Sequence, residues 1–288
     1  MPLLLRIYGS VEGAEAGVLS ASLFSRADEV RVARTVARLR LGPRCFLTFR
    51  NGRLEEWLEG VPLRSVEMRI PHVSLQIAAA LARFHALASP ELAGEDGLWD
   101  RICHWHALAA RVQLPRDLAE LVAAVPAAAD ALRASLQPWA SSGRAGSPTV
   151  FSHNDLQHNN ILKLLDGSVV LIDYEYGASA PIAYDIANHF CEMAADYAAD
   201  APGGMLNYGE RYPTLAQRES FCAAYLGAGS SRADAAALAR AAERYALASH
   251  LVWGLWGVVQ SGCSSVEFDF MEYARQRFQE FRARANAP

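Results

Sequence analysis

Residues 150–176, VFSHNDLQHNNILKLLDGSVVLIDYEY, contain the side chains best suited to chemistry. An apolar run leads into a polar loop that carries Asp155 and Asn160, and a second apolar run ends in Asp173. Phosphoryl transfer from a nucleotide needs such a set, because one carboxylate accepts the proton of a substrate hydroxyl while an amide and a second carboxylate hold Mg²⁺ on the phosphates. We therefore predict that these three residues gather at one edge of a small sheet.

The spacing of these residues is more specific than their types. H-x-D is followed by an Asn five residues later and by I-D at the end of a later strand, in the order of the catalytic and metal-binding loops of kinases. Asp166 and Gly167 predict a tight turn between the two later strands. A single Asp or Asn in a loop more often serves a turn or a helix cap. Three of them interrupting apolar strands favour the catalytic interpretation.

Composition and charge limit the class of protein. The 288 residues are 52% hydrophobic, which suffices for a large core in one domain or two lobes, yet no run approaches the ~20 apolar residues that cross a bilayer. The net charge of −4 gives no basic footprint for nucleic acid. The first residues lack the features of a signal peptide, and the five scattered cysteines include no C-x-x-C pair, so we expect a cytoplasmic protein. His104 and His106 would face different sides of a helix, which argues against a metal site there.

Elements within residues 1–60 suggest a small nucleotide-clamping lobe. An apolar strand carries Arg6, a helical pattern over residues 19–41 carries Glu29, and Asn51-Gly52 predicts a hairpin with a type I′ turn. Arg6 is either a surface charge or a cation that reaches the phosphates. Glu29 is either a solvated helix charge, the commoner case, or an acid that pairs with Arg6.

Residues 61–288 are predicted to be mainly helical outside the catalytic stretch. Asp185, near the start of a helical pattern, is expected to cap amides or to brace the catalytic loop from below. The predicted helices span residues 73–88, 99–112, 116–139 with a break at Pro126, 182–197, 215–226, 233–260 and 266–283.

Several aromatic residues could form an amine-binding box. Trp253 and Trp256 lie three apart in the long helix and therefore on one face. For any single ring, a place in the core is the better interpretation. The alternative is a box with an acid at its rim, because a quaternary ammonium donates no hydrogen bond and is held by cation–π contacts and Coulomb attraction. The candidates are Tyr176, Glu192, Tyr197, Trp253, Trp256, Phe268 and Tyr273.

The chain resembles the choline/ethanolamine kinase family in the segments HNDLQHNNIL, IDYEY, AYDIANHFCEMAADY, ASHLVWGLWGVVQ and SSVEFDFMEYARQRF. The resemblance implies an α+β, protein-kinase-like (aminoglycoside phosphotransferase-like) fold, with a partial β lobe over residues 1–60 and a large helical lobe over residues 61–288. It implies ATP- and Mg²⁺-dependent phosphorylation of choline or ethanolamine, the entry to the CDP-choline route of phospholipid synthesis. Family members often form homodimers, which is the basis for expecting a dimer here.

The resemblance also assigns roles by position. Asp155 would be the catalytic base, with His153 supporting its loop, and Asn160 and Asp173 would hold Mg²⁺. The aromatic candidates would surround the ammonium group. The residues that would lie near ATP are Arg6, Glu29, Gln157, Glu175, Glu56 and Leu58.

Two questions remain open at this stage. HNDLQ and the tyrosine that ends CEMAADY resemble the choline branch, so choline is preferred, with ethanolamine as a slower substrate or as the alternative substrate. Family members also carry two strands and a phosphate-covering loop ahead of LLLRIYG, which this sequence lacks. An impaired, amine-binding pseudokinase is therefore the alternative from another class. An aminoglycoside or homoserine kinase is disfavoured by WGLW.

Overall fold

A computed structural model describes residues 2–8, 23, 25–141, 148–197 and 205–285. Its first sheet is antiparallel, with strand order β1-β3-β2. The strands are β1 (Leu3–Ile7), β2 (Cys45–Phe49) and β3 (Gly52–Glu56), and helix α1 (Arg26–Arg38) packs beside β2. The Ser25 side chain caps α1 by accepting the amide hydrogen of Asp28. Residues 19–22 and 24 of the predicted helix lie outside the described residues.

The hairpin between β2 and β3 corrects one prediction. Phe49 pairs with Gly52, so Arg50 and Asn51 form the turn, and neither has the positive φ that a type I′ turn requires. The type I′ prediction is therefore wrong. Gly52 is needed for a different reason, since a Cβ atom there would lie 2.3 Å from the carbonyl oxygen of Arg6. Glycine lets β1 and β3 pair closely.

Two further sheets position the catalytic stretch. The predicted hairpin is present as β6 (Ile161–Leu164) and β7 (Val169–Leu171), and Gly167 adopts φ +81° in its turn. The strand β4 (Gly60–Pro62) pairs with the other side of β6. Strands β5 (Thr149–Ser152) and β8 (Ala178–Pro181) form an antiparallel pair. The polar loop between β5 and β6 therefore lies beside the segment that leaves β7.

Most of the remaining elements are helices. They are α2 (Pro71–Leu92), α3 (Leu98–Ala109), α4 (Arg116–Ala123), α5 (Val125–Ser141), α6 (Ile182–Glu192), α7 (Tyr208–Arg211), α8 (Leu215–Leu226), α9 (Arg232–Ser261) and α10 (Phe270–Ala285). The short strands β9 (Ala195–Asp196) and β10 (Met205–Leu206) pair with each other. No helix in the described part of the chain combines the length and the apolar character that crossing a membrane requires.

Several helix ends differ from their predicted positions. Helix α2 continues through Pro90, because a proline in the last turn removes only one backbone hydrogen bond. Helix α6 ends at Glu192 and not at Tyr197, since the chain turns into β9. Helix α10 starts at Phe270, four residues later than predicted. The last two changes place Tyr197 and Phe268 in connecting segments that face the same cavity.

Helix α9 is the central element of the helical core, where it contacts α3, α6, α8 and α10. Two glycines of the WGLWG segment face α10. A Cβ atom at Gly254 would lie 2.6 Å from the Phe278 ring, and one at Gly257 would lie 3.0 Å from the Phe270 carbonyl oxygen. The absence of side chains at these positions lets α10 pack closely on α9, where Phe270 and Tyr273 contact the Trp256 ring.

Candidate active site

The loop that carries Asp155 is held by Asp185, a fully buried acid in the first turn of α6. The carboxylate of Asp185 accepts the backbone amides of His153 (2.8 Å) and Asn154 (2.7 Å) and lies 2.8 Å from His85 Nε2. Burial alone would raise the pKa of Asp185, but the hydrogen bond and charge of His85, together with His153, lower it below its usual value. These contacts confirm the predicted bracing of the loop.

His153 connects the loop to the end of β7. Its Nε2 donates to the carbonyl oxygen of Ile172 (3.0 Å), and its Nδ1 accepts the amide hydrogen of Asp155 (3.3 Å). The side chain is fully buried and lines neither of the cavities described below. This position suits support of the loop and gives no contact with a substrate.

Asp155 and Asn160 are joined directly. The Asn160 Nδ2 donates to Asp155 Oδ2 (2.7 Å) and to the Asp155 carbonyl oxygen (2.8 Å). The amide nitrogen is thereby committed, so Oδ1 is the Asn160 atom suited to ligate a cation. Asp173 follows β7 in the left-handed region, at φ +63°. Burial and the negative charges of Glu192, Glu175 and Asp173 raise the pKa of Asp155 well above its usual range. The backbone amide of Ile172, next to Asp173, donates to the Asn160 carbonyl oxygen (2.9 Å), so the three predicted residues lie in one region.

This donor set fits Mg²⁺. Asn160 and Asp173 offer hard oxygen ligands, and Mg²⁺ is commonly held by one or two carboxylates, with phosphates and water completing its coordination. Within the described ranges, no group of three or more His, Cys, Asp or Glu side chains forms a metal cage by itself. Burial, Asp173 and Glu29 raise the pKa of Glu175 to about 7, so negative charge is concentrated here beyond what Arg26 and Arg6 offset. A cation shared with substrate phosphates would relieve that repulsion.

A cavity of about 210 Å³ lies between the first sheet, α1 and the end of β7. Asp173 is one of its lining residues. Four of the residues predicted to lie near ATP line it as well: Arg6, Glu29, Glu56 and Leu58. The other two, Gln157 and Glu175, line the neighbouring cavity that contains Asp155.

A chain of ion pairs crosses the first cavity and corrects both interpretations of Glu29. Glu29 is 4% exposed, and its carboxylate pairs with Arg53 and, at 2.5 Å, with Arg26. Arg53 also contacts Glu55 (2.6 Å), and Glu55 lies 3.6 Å from Arg6. Glu29 is thus neither solvated nor paired with Arg6. Its partner is Arg53 of β3, the strand that pairs with the Arg6 strand β1.

Arg6 instead contacts the predicted metal ligand. Its Nη1 lies 3.4 and 3.3 Å from the two carboxylate oxygens of Asp173. Sequence reasoning missed Arg53, although an arginine placed two residues before an acid in the strand GRLEE was a usable signal. Arg6 and Asp173 therefore meet at the wall of the first cavity, which both residues line.

The second cavity, of about 390 Å³, contains Asp155 and the aromatic box. All seven predicted box residues line it: Tyr176, Glu192, Tyr197, Trp253, Trp256, Phe268 and Tyr273. The rings of Trp253 and Trp256 are 5.3 Å apart at 68°, and the Tyr197 hydroxyl donates to Glu192 (2.7 Å). Sequence reasoning missed Phe270, which also lines the cavity and lies two residues after Phe268 in EFDF.

Two supporting residues were missed as well. Trp105 of α3 packs edge-on against Tyr176 and Trp253, with ring centroids 6.1 and 6.5 Å away. Arg277 of α10 is fully buried behind Glu192 and pairs with it. The pattern of α10 places Arg277 one turn after Tyr273, which is a signal only once Tyr273 is known to face the cavity.

Comparisons with known proteins agree with this geometry. The family model described as Choline/ethanolamine kinase matches residues 1–282. "Probable choline kinase 2" of Arabidopsis thaliana is 36% identical over 284 residues, covering 97% of this chain and 76% of the relative. "Choline/ethanolamine kinase" of Rattus norvegicus is 33% identical over 295 residues, covering 96% and 71%.

A solved structure shows the same fold. The crystal structure of choline kinase from Cryptosporidium parvum Iowa II superposes with a TM-score of 0.81 at 27% identity, covering 98% of this chain and 81% of that one. The predicted α+β, kinase-like fold class is confirmed. The chain belongs to the choline/ethanolamine kinase family, and it is a kinase of that family.

Proposed function

We propose that this kinase transfers the γ-phosphoryl group of ATP to the hydroxyl of choline, with ethanolamine as a slower substrate. The observation that carries the proposal is the shared cavity of Asp155 and the aromatic box. Choline has a quaternary ammonium two carbons from its hydroxyl, so a base and a ring-lined ammonium site must lie close together. The plant and Cryptosporidium relatives are named for choline, and the rat relative is named for both alcohols.

Asp155 is the proposed base. It accepts the hydroxyl proton as the hydroxyl oxygen forms its bond to the γ-phosphorus and the bond to the bridging oxygen of ADP breaks. Burial and neighbouring charges raise the pKa of Asp155, which increases its basicity toward the usual working pH. Asn160 holds Asp155 in place, and His153 and Asp185 hold the loop.

The nucleotide would occupy the cavity beside the first sheet. Glu56 at the end of β3 and Leu58 just after it line this cavity together with Arg6 and Asp173. Arg6 would bind phosphate oxygens, and Asn160 and Asp173 would ligate Mg²⁺. Bound Mg²⁺ would neutralise charge on the transferred phosphoryl group. In this arrangement residues 1–60 form the clamping lobe and residues 61–288 carry the base and the amine site.

The choline preference rests on the chemistry of the second cavity. Each ring over a quaternary ammonium contributes on the order of 0.5–2 kcal/mol, so several rings and a carboxylate are needed for useful affinity. A primary ammonium needs several hydrogen-bond acceptors, and each Glu192 oxygen already accepts one hydrogen bond, which leaves fewer acceptor sites for it. A cytoplasmic location and a homodimer stay predictions.

Steady-state kinetics test the proposal directly. ADP release is measured with each alcohol in the presence of Mg²⁺ and ATP, and kcat/KM is compared. We expect choline to exceed ethanolamine. A clear preference for ethanolamine would refute the choline assignment. Choline binding without ADP release would identify a non-catalytic amine-binding protein.

A further inference from the structure

Arg277 lies behind the aromatic box and does not line the cavity. Its guanidinium contacts three groups at once. Nη2 pairs with a carboxylate oxygen of Glu192, Nε donates to the Tyr273 hydroxyl (3.0 Å), and Nη1 donates to the Tyr208 hydroxyl (3.3 Å). The guanidinium carbon also lies 5.2 Å from the centre of the Tyr273 ring. One buried cation therefore links Glu192 of α6 and Tyr273 of α10, which both line the box, to Tyr208 of α7.

Each carboxylate oxygen of Glu192 already accepts one hydrogen bond. Arg277 binds Oε1, and the Tyr197 hydroxyl donates to Oε2 (2.7 Å). Glu192 is 2% exposed and Arg277 is fully buried, so solvent does little to screen the pair. The positive charge of Arg277, on the side of Glu192 away from the cavity, therefore offsets much of the negative charge of Glu192.

This compensation distinguishes two kinds of ammonium group. A primary ammonium is strongly hydrated and must replace its water with hydrogen-bond acceptors. A trimethylammonium donates no hydrogen bond, is more weakly hydrated, and is held mainly by ring faces. A carboxylate paired with a buried cation attracts a primary ammonium less strongly, because that group depends on charged acceptors. A trimethylammonium depends more on the ring faces and loses less.

We propose that Arg277 is the residue that sets this selectivity: by occupying Glu192 and fixing Tyr273, it makes the cavity select quaternary over primary ammonium groups. The proposal rests on the proposed function, since it deepens the choice between choline and ethanolamine at the same site. Arg277 is a positioning residue, because it acts through Glu192 and Tyr273 and touches no substrate.

The test replaces the guanidinium and follows selectivity. In Arg277→Met, Glu192 is released from its partner, so ethanolamine gains a charged acceptor while choline loses an ordered Tyr273. We expect the choline-to-ethanolamine ratio of kcat/KM to fall by about tenfold or more, the factor that one hydrogen bond to a charged group provides. The change should appear mainly in KM, since Asp155 and its loop are untouched.

Arg277→Lys keeps the test decisive if the methionine variant fails to fold. Lysine retains the positive charge and so avoids a buried unpaired carboxylate, which is strongly destabilising. Its point charge cannot hold three groups in a planar fork, so the ratio should fall by a smaller factor. A wild-type ratio in folded Arg277→Lys would overturn the proposal.

Arg284→Met is the matched control. Arg284 lies on the same helix, pairs with Glu243 and Glu280, and stacks on Tyr212 and on Tyr208, and none of these four residues lines the cavity. The Arg284→Met variant should lose thermal stability and keep the wild-type choline-to-ethanolamine ratio of kcat/KM. An equal change of the ratio in Arg284→Met would show a general effect of loosening α10 and would refute the role of Arg277 in selectivity.

Calorimetric titration with each alcohol separates this inference from the function itself. Binding needs no phosphoryl transfer. Wild-type protein that binds choline over ethanolamine without turnover, together with a reduced preference in Arg277→Lys, would support the role of Arg277 and refute the kinase activity on choline. Turnover of choline with an unchanged preference in both Arg277 variants would support the kinase activity on choline and refute the role of Arg277.

Discussion

The Nε1 of Trp256 donates a hydrogen bond to the hydroxyl of Tyr176, 2.8 Å away. Trp256 belongs to α9, whereas Tyr176 belongs to the DYEY segment that begins with the predicted metal ligand Asp173. This contact joins the ring box to the segment that holds the proposed metal. The distance between the ammonium site and the reacting phosphoryl group depends on such contacts, and small displacements there reduce the rate.

Tyr176→Phe tests this relationship. The ring stays in the box, but the indole N–H of Trp256 loses its acceptor, a loss of about 1 kcal/mol or roughly fivefold. We expect kcat/KM for choline to fall by about that factor, with little change in the KM for ATP. Tyr212→Phe is the control, since its hydroxyl bonds to Glu243 away from the cavity. Equal losses in both variants would contradict the prediction.

Asp155→Asn should remove turnover. The amide cannot take up the hydroxyl proton, and general base catalysis contributes on the order of 10²–10⁴-fold. Burial and three neighbouring carboxylates raise the pKa of Asp155, so removal of its charge should leave the melting temperature unchanged or higher. Asp166→Asn, in the exposed β6–β7 turn, should behave as wild type. Substantial turnover by Asp155→Asn would eliminate Asp155 as the base.

Arg53→Met should weaken nucleotide binding more than choline binding. Arg53 is 4% exposed and joins Glu29 and Glu55, so its removal leaves buried carboxylates unpaired, at a cost of about 3–5 kcal/mol in the free energy of unfolding. Glu55 would then hold Arg6 less firmly, and the KM for ATP should rise. Arg38→Met removes an exposed pair with Glu91 and is the control. An unchanged KM for ATP in folded Arg53→Met would show that the ion-pair chain has no part in nucleotide binding.

His189 should make stability depend on pH. Its Nδ1 contacts the Leu156 carbonyl oxygen (2.8 Å), its Nε2 has no partner among the described residues, and burial lowers its pKa to about 4. The unfolded chain, with a histidine pKa near 6.5, binds more protons between those values. The contribution of neutral, buried His189 to the free energy of unfolding is therefore fully present above about pH 6.5. It is lost as the pH drops toward 4.

The matched comparison is with His189→Gln, which does not titrate. The difference in free energy of unfolding between wild type and His189→Gln should shrink by up to ~3 kcal/mol as the pH falls from 6.5 to 4. Chemical denaturation at each pH measures it. His72→Gln, at an exposed position, should show no such trend. Parallel pH profiles for wild type and His189→Gln would disprove the prediction.

The sequence by itself determined the local elements and the chemistry of the loop. The H-x-D pattern, the Asp166-Gly167 turn and the acid at the end of β7 are short-range features, and each depends on backbone preferences within a few residues. The helix at 215–226 was predicted to the residue, because a Thr214 cap begins it and Gly227, at positive φ, ends it. The family assignment rests on the same kind of local pattern.

Only the tertiary structure decided which charges meet. From the sequence alone, Glu29 could pair with any arginine of the first sheet. In the structure the register of β3 places Arg53 beside Glu29, and Arg6 pairs with Asp173. The rings of the box come from segments far apart in sequence, and two glycines of α9 set how closely α10 approaches them. Arg277 looks like any helical arginine until α6 is placed beside α10. Long-range packing selects among partners that local propensity leaves equivalent, and a charge that is buried must take the partner that packing supplies.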